Sequence, residues 1–277
     1  MLMPVVLFLL AACEKTGERV SMDDVEDENL TEMLFEDVFA SIDEAETAVD
    51  GMLFSGLKSL ETSDCPVITV DRPDTLRWPK VMTIDYGEAC IKYAGDHTIT
   101  RSGKIVITFT GRFRKPGATR TVTMVDYYIN GIRVEGVKTI VNTGRNTNGN
   151  LEFSVVLSGG KVILPDSTVA TREVTRTREW IGGELTPSPW DDQYLVTGNA
   201  GGITFSGLEY TRVITTPLSI DRACRFITSG IVEITTGDNP AVILDYGDGT
   251  CDALASVIID GVIREIILRH NHRRFPG

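Results

Sequence analysis

Most of the chain, from about residue 65 to residue 270, carries a period-two pattern of apolar and polar residues. The segment 104–110 (KIVITFT) is rich in β-branched residues and alternates as a half-buried strand does. Asn130 with Gly131 and Asp260 with Gly261 each stand between two such runs, and these dipeptides are strong signals for tight hairpin turns. The pattern therefore predicts antiparallel strands joined by short loops.

This pattern sets the expected fold class: an all-β body, built as an antiparallel hairpin-rich sandwich or as stacked sheets, with one N-terminal amphipathic helix. The body is expected to span residues 62–270 and to be followed by a tail at 271–277. The segment 183–191 (GELTPSPWD) is rich in turn-forming residues and marks the best point for a subdivision. An internal duplication is an open alternative, because two stretches of the body resemble one another.

The net charge of −12 is concentrated near the N-terminus. Residues 14–50 hold fourteen acidic and two basic side chains, so the rest of the chain is neutral overall. A neutral body does not provide the basic surface that phosphate backbones require, and we expect no nucleic-acid partner. Because 42% of the residues are apolar, the chain is also not of the disordered class.

The first twelve residues, MLMPVVLFLLAA, are uncharged and are too short to span a bilayer as a helix. They predict a signal peptide at 1–12. Leu10, Ala11 and Ala12 precede Cys13 and resemble the lipobox of bacterial lipoproteins, in which the cysteine becomes the lipidated first residue of the mature chain. The resemblance implies lipidation at Cys13 and a body that is attached to a membrane without being embedded in it.

Residues 13–29 are polar and acidic and are predicted to form a flexible tether behind the lipid anchor. Residues 30–51 then place apolar side chains at three- and four-residue steps, which predicts an amphipathic helix. Asn29 with Glu32 fits a capping box, and Gly51 fits a C-terminal stop. We expect the apolar face to dock on the body and the acidic face to point into solvent; the alternative is a helix that binds a partner.

The remaining cysteines are four in number: Cys65, Cys90, Cys224 and Cys251. An even number in an exported chain suggests disulfides, although four cysteines permit three connectivities. The stretches 65–90 and 224–251 each begin with cysteine, pass through a turn-rich middle and return to Asp-Tyr-Gly shortly before the second cysteine. If each stretch is a hairpin, its two cysteines lie near the open end, which favours the pairs Cys65–Cys90 and Cys224–Cys251 over four free thiols.

Catalytic signatures are scarce. His97 is the one histidine outside the basic C-terminal segment, and the chain has no Gly-x-Ser-x-Gly motif. Asp245, Asp248 and Asp252 gather in one short turn and make a weak calcium site, because calcium takes several oxygen ligands from such turns. Aspartate and glycine are also ordinary turn formers, so a structural role is the competing interpretation. No other cofactor is expected.

The three tryptophans, Trp78, Trp180 and Trp190, are candidates for a glycan-stacking surface, together with Tyr194. Aromatic residues in strands more often belong to the core, and this is the alternative.

Several phrases of the body resemble a group of uncharacterised exported lipoproteins of the Bacteroidota. They occupy residues 101–105, 110–113, 128–136, 175–180 and 191–198. The resemblance implies an all-β lipoprotein of the cell envelope, attached to the outer membrane and facing either the periplasm or the cell surface. The acidic stretch after Cys13 is similar to the surface-export signals of that group. The group provides no activity that can be transferred to this chain.

The sequence thus favours a membrane-anchored, non-enzymatic binding or structural module of unknown ligand. Two alternatives remain open: a carbohydrate-binding or glycan-processing surface protein, and a subunit of an envelope or adhesive assembly. The expected partners are the membrane, through the lipid anchor, and a glycan or another envelope protein.

Overall fold

The computed structural model describes residues 27–28, 30–39, 41–42, 44–45, 59–61, 65–71, 77–94, 97–186, 188, 190–224 and 226–268. Cys13, Asn29, Asp43 and Gly51 lie outside the described residues, as do the signal peptide, almost all of the tether, and the tail. The described residues of 27–45 are helical and are called α1. The helix therefore already includes residues 27 and 28, which the sequence assigned to the tether.

Fifteen strands follow α1 within the described residues. They are β1 (Ser59–Glu61), β2 (Val67–Val70), β3 (Lys80–Asp85), β4 (Cys90–Ala94), β5 (His97–Phe109), β6 (Thr119–Ile129), β7 (Ile132–Arg145), β8 (Leu151–Ile163), β9 (Val169–Gly182), β10 (Gln193–Ile203), β11 (Glu209–Asp221), β12 (Ile227–Thr236), β13 (Val242–Asp248), β14 (Leu254–Ile259) and β15 (Val262–Ile267).

All fifteen strands belong to one antiparallel sheet, so the all-β prediction is confirmed. The strands pair almost entirely in sequence order. The exception is the long strand β5, whose residues 97–101 pair with β4 and whose residues 104–109 pair with β3. The sequence left a sandwich or stacked sheets open, whereas the structure has a single meander. β9 and β10 pair on both sides of the 183–191 segment, so the sheet is continuous there.

The two dipeptides singled out in the sequence form the predicted turns. Asn130 and Gly131 have φ angles of 47° and 78°, and Asp260 and Gly261 have φ angles of 50° and 75°. Positive φ at both central residues is the requirement of a type I′ hairpin turn, which asparagine, aspartate and glycine meet most easily. These turns set the strand register that decides which residues share a face.

One face of the sheet, here called the inner face, is buried across ten strands. A single row of directly opposed residues illustrates it, since every member is buried: Met82, Ile107, Val122, Lys138, Leu157, Val174, Ala200, Arg212, Ile234 and Val242. Strand residues alternate between the two faces, so the burial of this one face explains the period-two pattern of the sequence.

Helix α1 lies against this inner face. Its buried apolar residues, including Leu34, Phe35 and Val38, share one hydrophobic cluster with residues from strands between β2 and β10. Glu36 and Glu44 are the exposed side chains among those described for the helix. A second cluster fills the inner face of β10–β14, and a third, which contains Trp180 and Tyr194, lies near the end of β9 and the start of β10.

Candidate functional site: the arginine face and the upper rim

The two predicted disulfides are present. Cys65 is bonded to Cys90 and Cys224 to Cys251, with Cα–Cα distances of 5.7 Å in both bridges. These pairings agree with those favoured by the sequence, because each bridge closes the open end of a hairpin-like stretch.

The resemblance between the two cysteine stretches extends to their Asp-Tyr-Gly motifs. In the first, an oxygen of Asp85 accepts a hydrogen bond from the N–H of Gly87 at 2.9 Å. In the second, Asp245 accepts from Gly247 at the same distance. Both tyrosines, Tyr86 and Tyr246, are buried. We call these segments the first and second Asp-Tyr-Gly turns.

A set of arginine side chains on the inner face holds the helix. Glu28 of α1 lies between Arg172 of β9 and Arg212 of β11, with N–O distances of 2.7 Å and 2.6 Å, and all three side chains are 1% exposed. Two further donors are used as well, since Arg172 also donates to the hydroxyl of Tyr210 and Arg212 to that of Tyr246. We call Arg172, Arg176 and Arg212 the arginine face.

The next acidic residues along the helix continue the contact. Glu32 binds both Arg172 and Arg176, and with Arg176 it forms two hydrogen bonds of 2.7 Å and 2.9 Å. Glu36 lies 3.5 Å from Arg176 and is half exposed. Glu28, Glu32 and Glu36 are spaced four residues apart and therefore lie along one stripe of the helix. The helix thus presents a row of carboxylates to a matching row of guanidinium groups.

Two further ion pairs fix the C-terminal half of the helix. Asp37 forms a two-pronged pair with Arg101 of β5, with distances of 2.6 Å and 3.1 Å. Glu44 lies 3.1 Å from Lys92 of β4, at an exposed position. The contacts of α1 therefore extend from β4 to β11.

The acidic side of the helix was expected to face solvent, and for Glu32 this expectation is wrong. Glu28, which the sequence assigned to the tether, is buried as well. The sequence shows the acidic residues of the helix, but it does not show which arginines of the strands pair with them in the interior. A signal for those cations exists in β9, where Arg172, Val174 and Arg176 have the same parity as the buried Trp180. Residues of one parity share a face, so the arginines were placed on the buried side by the strand pattern itself.

The electrostatics of the site follow from burial and pairing. Burial alone would raise the pKa of Glu28, but the charges and hydrogen bonds of Arg212 and Arg172 outweigh it and lower that pKa below its usual value. Burial acts to lower the pKa of Arg212, and Glu28 and Tyr246 reverse this, so its pKa is raised. Burial raises the pKa of the Tyr210 hydroxyl. Both shifts favour the charged forms of Glu28 and Arg212, whereas burial lowers the pKa of Arg176.

The tryptophans lie toward one end of the sheet, which we call the upper rim; its loops join β5 to β6, β7 to β8, β9 to β10 and β11 to β12. They do not form one surface. Trp180 is buried, Trp78 is partly buried beside the Nζ of Lys80, and Trp190 is 67% exposed. Trp180 and Trp78 thus belong to the core, as the competing interpretation had it.

Trp180 is part of a compact group of rings under the upper rim. Its ring centroid lies 5.7 Å from that of Tyr194 and 6.4 Å from that of Phe113. Guanidinium groups cover the rings: Arg178 lies 3.6 Å from the centroid of Tyr194, and Arg114 lies 5.0 Å from that of Trp180. Such cation–π contacts stabilise each ring by roughly 0.5–2 kcal/mol, depending on exposure.

The acidic turn at the end of β13 uses its carboxylates locally. Asp245 and Asp252 each accept a hydrogen bond from a backbone N–H two residues further on, and Asp248 does so from Thr250 as well as from its hydroxyl. These bonds are those of turn-forming aspartates. Within the described residues, no group of three or more histidine, cysteine, aspartate or glutamate side chains is arranged to hold a metal ion.

The side chain of His97, and the whole of His270 and His272, lie outside the described part of the chain. Among the described residues, no helix has the length and hydropathy needed to cross a membrane.

The architecture that these observations define is an open antiparallel meander whose inner face is filled in part by a helix, with a fixed arginine–carboxylate contact between the two. Comparison with family models, curated proteins and solved structures finds no match to this chain.

Proposed function

We propose that the chain is an exported lipoprotein of the cell envelope, anchored through Cys13, and that its β body is a non-enzymatic binding or structural module. The observation that carries the proposal is the use of cysteine. The four cysteines of the body are consumed in two disulfides, which belong to an oxidising compartment, and this leaves Cys13 beside the lipobox sequence.

The arginine face supports the same proposal, because it connects the anchor to the body. Thirteen residues separate Cys13 from Asp27, which is already helical. The first carboxylate after that point, Glu28, is held by two buried guanidinium groups. The membrane attachment therefore ends in a firmly docked helix, and the sheet is held close to the bilayer.

The test is to express the full chain in a bacterial host and to determine the mass of the protein extracted from its membranes. The proposal expects an N-terminus at Cys13 that carries acyl chains, and it expects Cys13→Ala to abolish both the acylation and the membrane association. Recovery of wild-type protein with residues 1–12 still attached, or without acyl chains, would refute it. Free-thiol titration of the denatured, unreduced protein is expected to detect no reactive thiol in the lipidated form.

A further inference from the structure

The loop that joins β9 to β10 exposes two large apolar side chains at the upper rim. Leu185 is 94% exposed and Trp190 is 67% exposed. Among the exposed large apolar residues of the described structure, Leu185 is the most accessible. Isolated exposed apolar residues are common, but a leucine and a tryptophan at one loop suggest a surface that meets an apolar phase.

The described residues of this loop make several polar contacts. The N–H of Thr186 donates to the carbonyl of Gly183, and the Thr186 hydroxyl lies 2.8 Å from both carboxylate oxygens of Asp191. At one side of the loop, Glu184 forms a two-pronged pair with Arg145 of β7, with distances of 2.6 Å and 2.9 Å. Leu185 and Trp190 therefore stay exposed while the described residues beside them are held by polar contacts.

The carboxylates of Glu184 and Asp191 flank these two side chains and are held by Arg145 and Thr186, while cations stand in a neighbouring loop. Arg112, Arg114 and Lys115 are exposed in the neighbouring loop between β5 and β6. The two loops are in contact range, because Arg114 lies over the ring of Trp180 and its charge contributes to lowering the pKa of Glu184, after the larger effect of Arg145. The rim thus combines protruding apolar groups with nearby positive charge, which is the composition of surfaces that bind at a bilayer interface.

We propose that the upper rim enters the headgroup layer of an anionic phospholipid membrane, with Leu185 and Trp190 at the boundary of the acyl chains and the cations of the β5–β6 loop near the phosphates. The proposal rests on the lipid anchor proposed above. Thirteen residues between Cys13 and α1 reach at most about 45 Å. The helix begins beside Arg172, about 33 Å along β9 from the upper rim, so the tether runs nearly extended when the rim meets the bilayer.

The side chains favour a lipid surface over a sugar. Tryptophan is well suited to both, since its ring is apolar and its N–H is polar. Leu185, by contrast, offers no flat ring on which a sugar could stack, whereas a bilayer boundary accepts leucine and tryptophan together. The other two candidates for stacking, Trp78 and Trp180, lie in the core and do not extend the exposed surface.

The test uses lipidated full-length protein in vesicles of phosphatidylethanolamine and phosphatidylglycerol, with and without bromine atoms on the acyl chains. Bromine quenches tryptophan that lies at the acyl boundary, and we expect quenching in the wild type that is lost in Trp190→Phe and weakened in Leu185→Ser. Replacing phosphatidylglycerol with phosphatidylcholine is expected to reduce it. The matched control is Ile263→Ser, which removes a 68% exposed side chain at the opposite end of the sheet.

Equal quenching in the wild type and in Trp190→Phe would overturn the inference, as would a wild type that is not quenched. A Trp190 fluorescence emission that is unchanged by vesicles but shifts when a soluble acidic oligosaccharide is added would also overturn it, in favour of a glycan-binding surface. The mass of the same sample separates the two proposals: acylated protein without quenching refutes the rim contact alone, and unacylated protein refutes the anchor. Unchanged thermal melting confirms that the variants are folded.

Discussion

The first and second Asp-Tyr-Gly turns have the same local structure in different surroundings. Each lies toward the end of the second strand after a disulfide-bonded cysteine, each closes on a glycine N–H, and each buries its tyrosine on the inner face. Each tyrosine also lies near an arginine that binds a helix carboxylate. Tyr86 lies near Arg101, which pairs with Asp37, and Tyr246 accepts a hydrogen bond from Arg212, which pairs with Glu28.

The surroundings differ in depth. The first turn belongs to the large cluster under the helix, and its second cysteine, Cys90, is 1% exposed. The second turn belongs to the smaller cluster of β10–β14, and Cys251 is exposed. The burial of the ion pairs is in the opposite order: the Arg212–Glu28 pair near the second turn is fully buried, and the Arg101–Asp37 pair near the first turn is partly open. The comparison teaches that the motif fixes a turn, whereas the neighbours decide what it contributes to stability.

The largest expected effect distinguishes the two ion pairs. Glu28→Ala leaves the Arg172 and Arg212 guanidinium groups without their buried carboxylate, and breaking a buried pair costs about 3–5 kcal/mol. Asp37→Ala removes a charged hydrogen bond at a site that solvent reaches, and we expect a cost of about 2 kcal/mol. Urea unfolding of both variants measures the difference.

Glu36→Ala is the control, because Glu36 is half exposed and 3.5 Å from Arg176, and exposed pairs contribute about 0–1 kcal/mol. If all three variants lost the same free energy of unfolding, the depth of the ion pairs would not decide their contribution, and the arginine face would have no special role in holding the helix.

The disulfides come next. Replacing either pair of cysteines with serine is expected to cost about 2–4 kcal/mol, because the closed loops are of similar length. Access to reductant should differ, since Cys251 is exposed and Cys90 is buried. Under limited dithiothreitol in the native state, we expect alkylation and mass mapping to find Cys224 and Cys251 modified first. Earlier modification of Cys65 and Cys90 would contradict this order.

The pH dependence of stability tests the same comparison by titration. Arg212 and Arg172 lower the pKa of Glu28 in the folded protein, so its contribution is complete above the unfolded value of about 4.3 and is lost as the pH falls through the folded pKa. Each unit of lowering corresponds to about 1.4 kcal/mol. We expect the wild type to lose stability as the pH falls below the unfolded value of about 4.3, and Glu28→Gln to show a flatter profile in chemical unfolding.

Asp85→Asn is the matched variant near the first turn. A hydrogen bond from Lys104 and another from the Gly87 N–H lower the pKa of Asp85, but the site is open to water and its acid dependence should be small. An acid profile that changes more in Asp85→Asn than in Glu28→Gln would show that the surface carboxylates, not the buried one, control acid unfolding.

Much of the fold could be predicted from local sequence. The turns at Asn130 and Asp260 need residues that adopt positive φ, and both dipeptides provide them. The disulfide pairing followed from the repeated cysteine stretches. The single sheet and the burial of Glu28 could not be predicted in the same way, because both depend on contacts between residues far apart in the chain. Glu28 and Arg212 are 184 residues apart, and the local sequence around either residue does not indicate that the two form a pair.

The smallest effect compares the turns themselves. Asp85→Ala and Asp245→Ala each remove a hydrogen bond to the glycine N–H, worth about 0.5–1.5 kcal/mol. Asp85 also lies 2.7 Å from Lys104, and this exposed pair adds at most about 1 kcal/mol. We therefore expect Asp85→Ala to be equal to Asp245→Ala or slightly more destabilising in urea unfolding. A clearly larger loss in Asp245→Ala, together with a wild type that added calcium stabilises and a variant that it does not, would mean that the second turn holds a cation. The backbone hydrogen bonds of its aspartates argue instead for an ordinary turn.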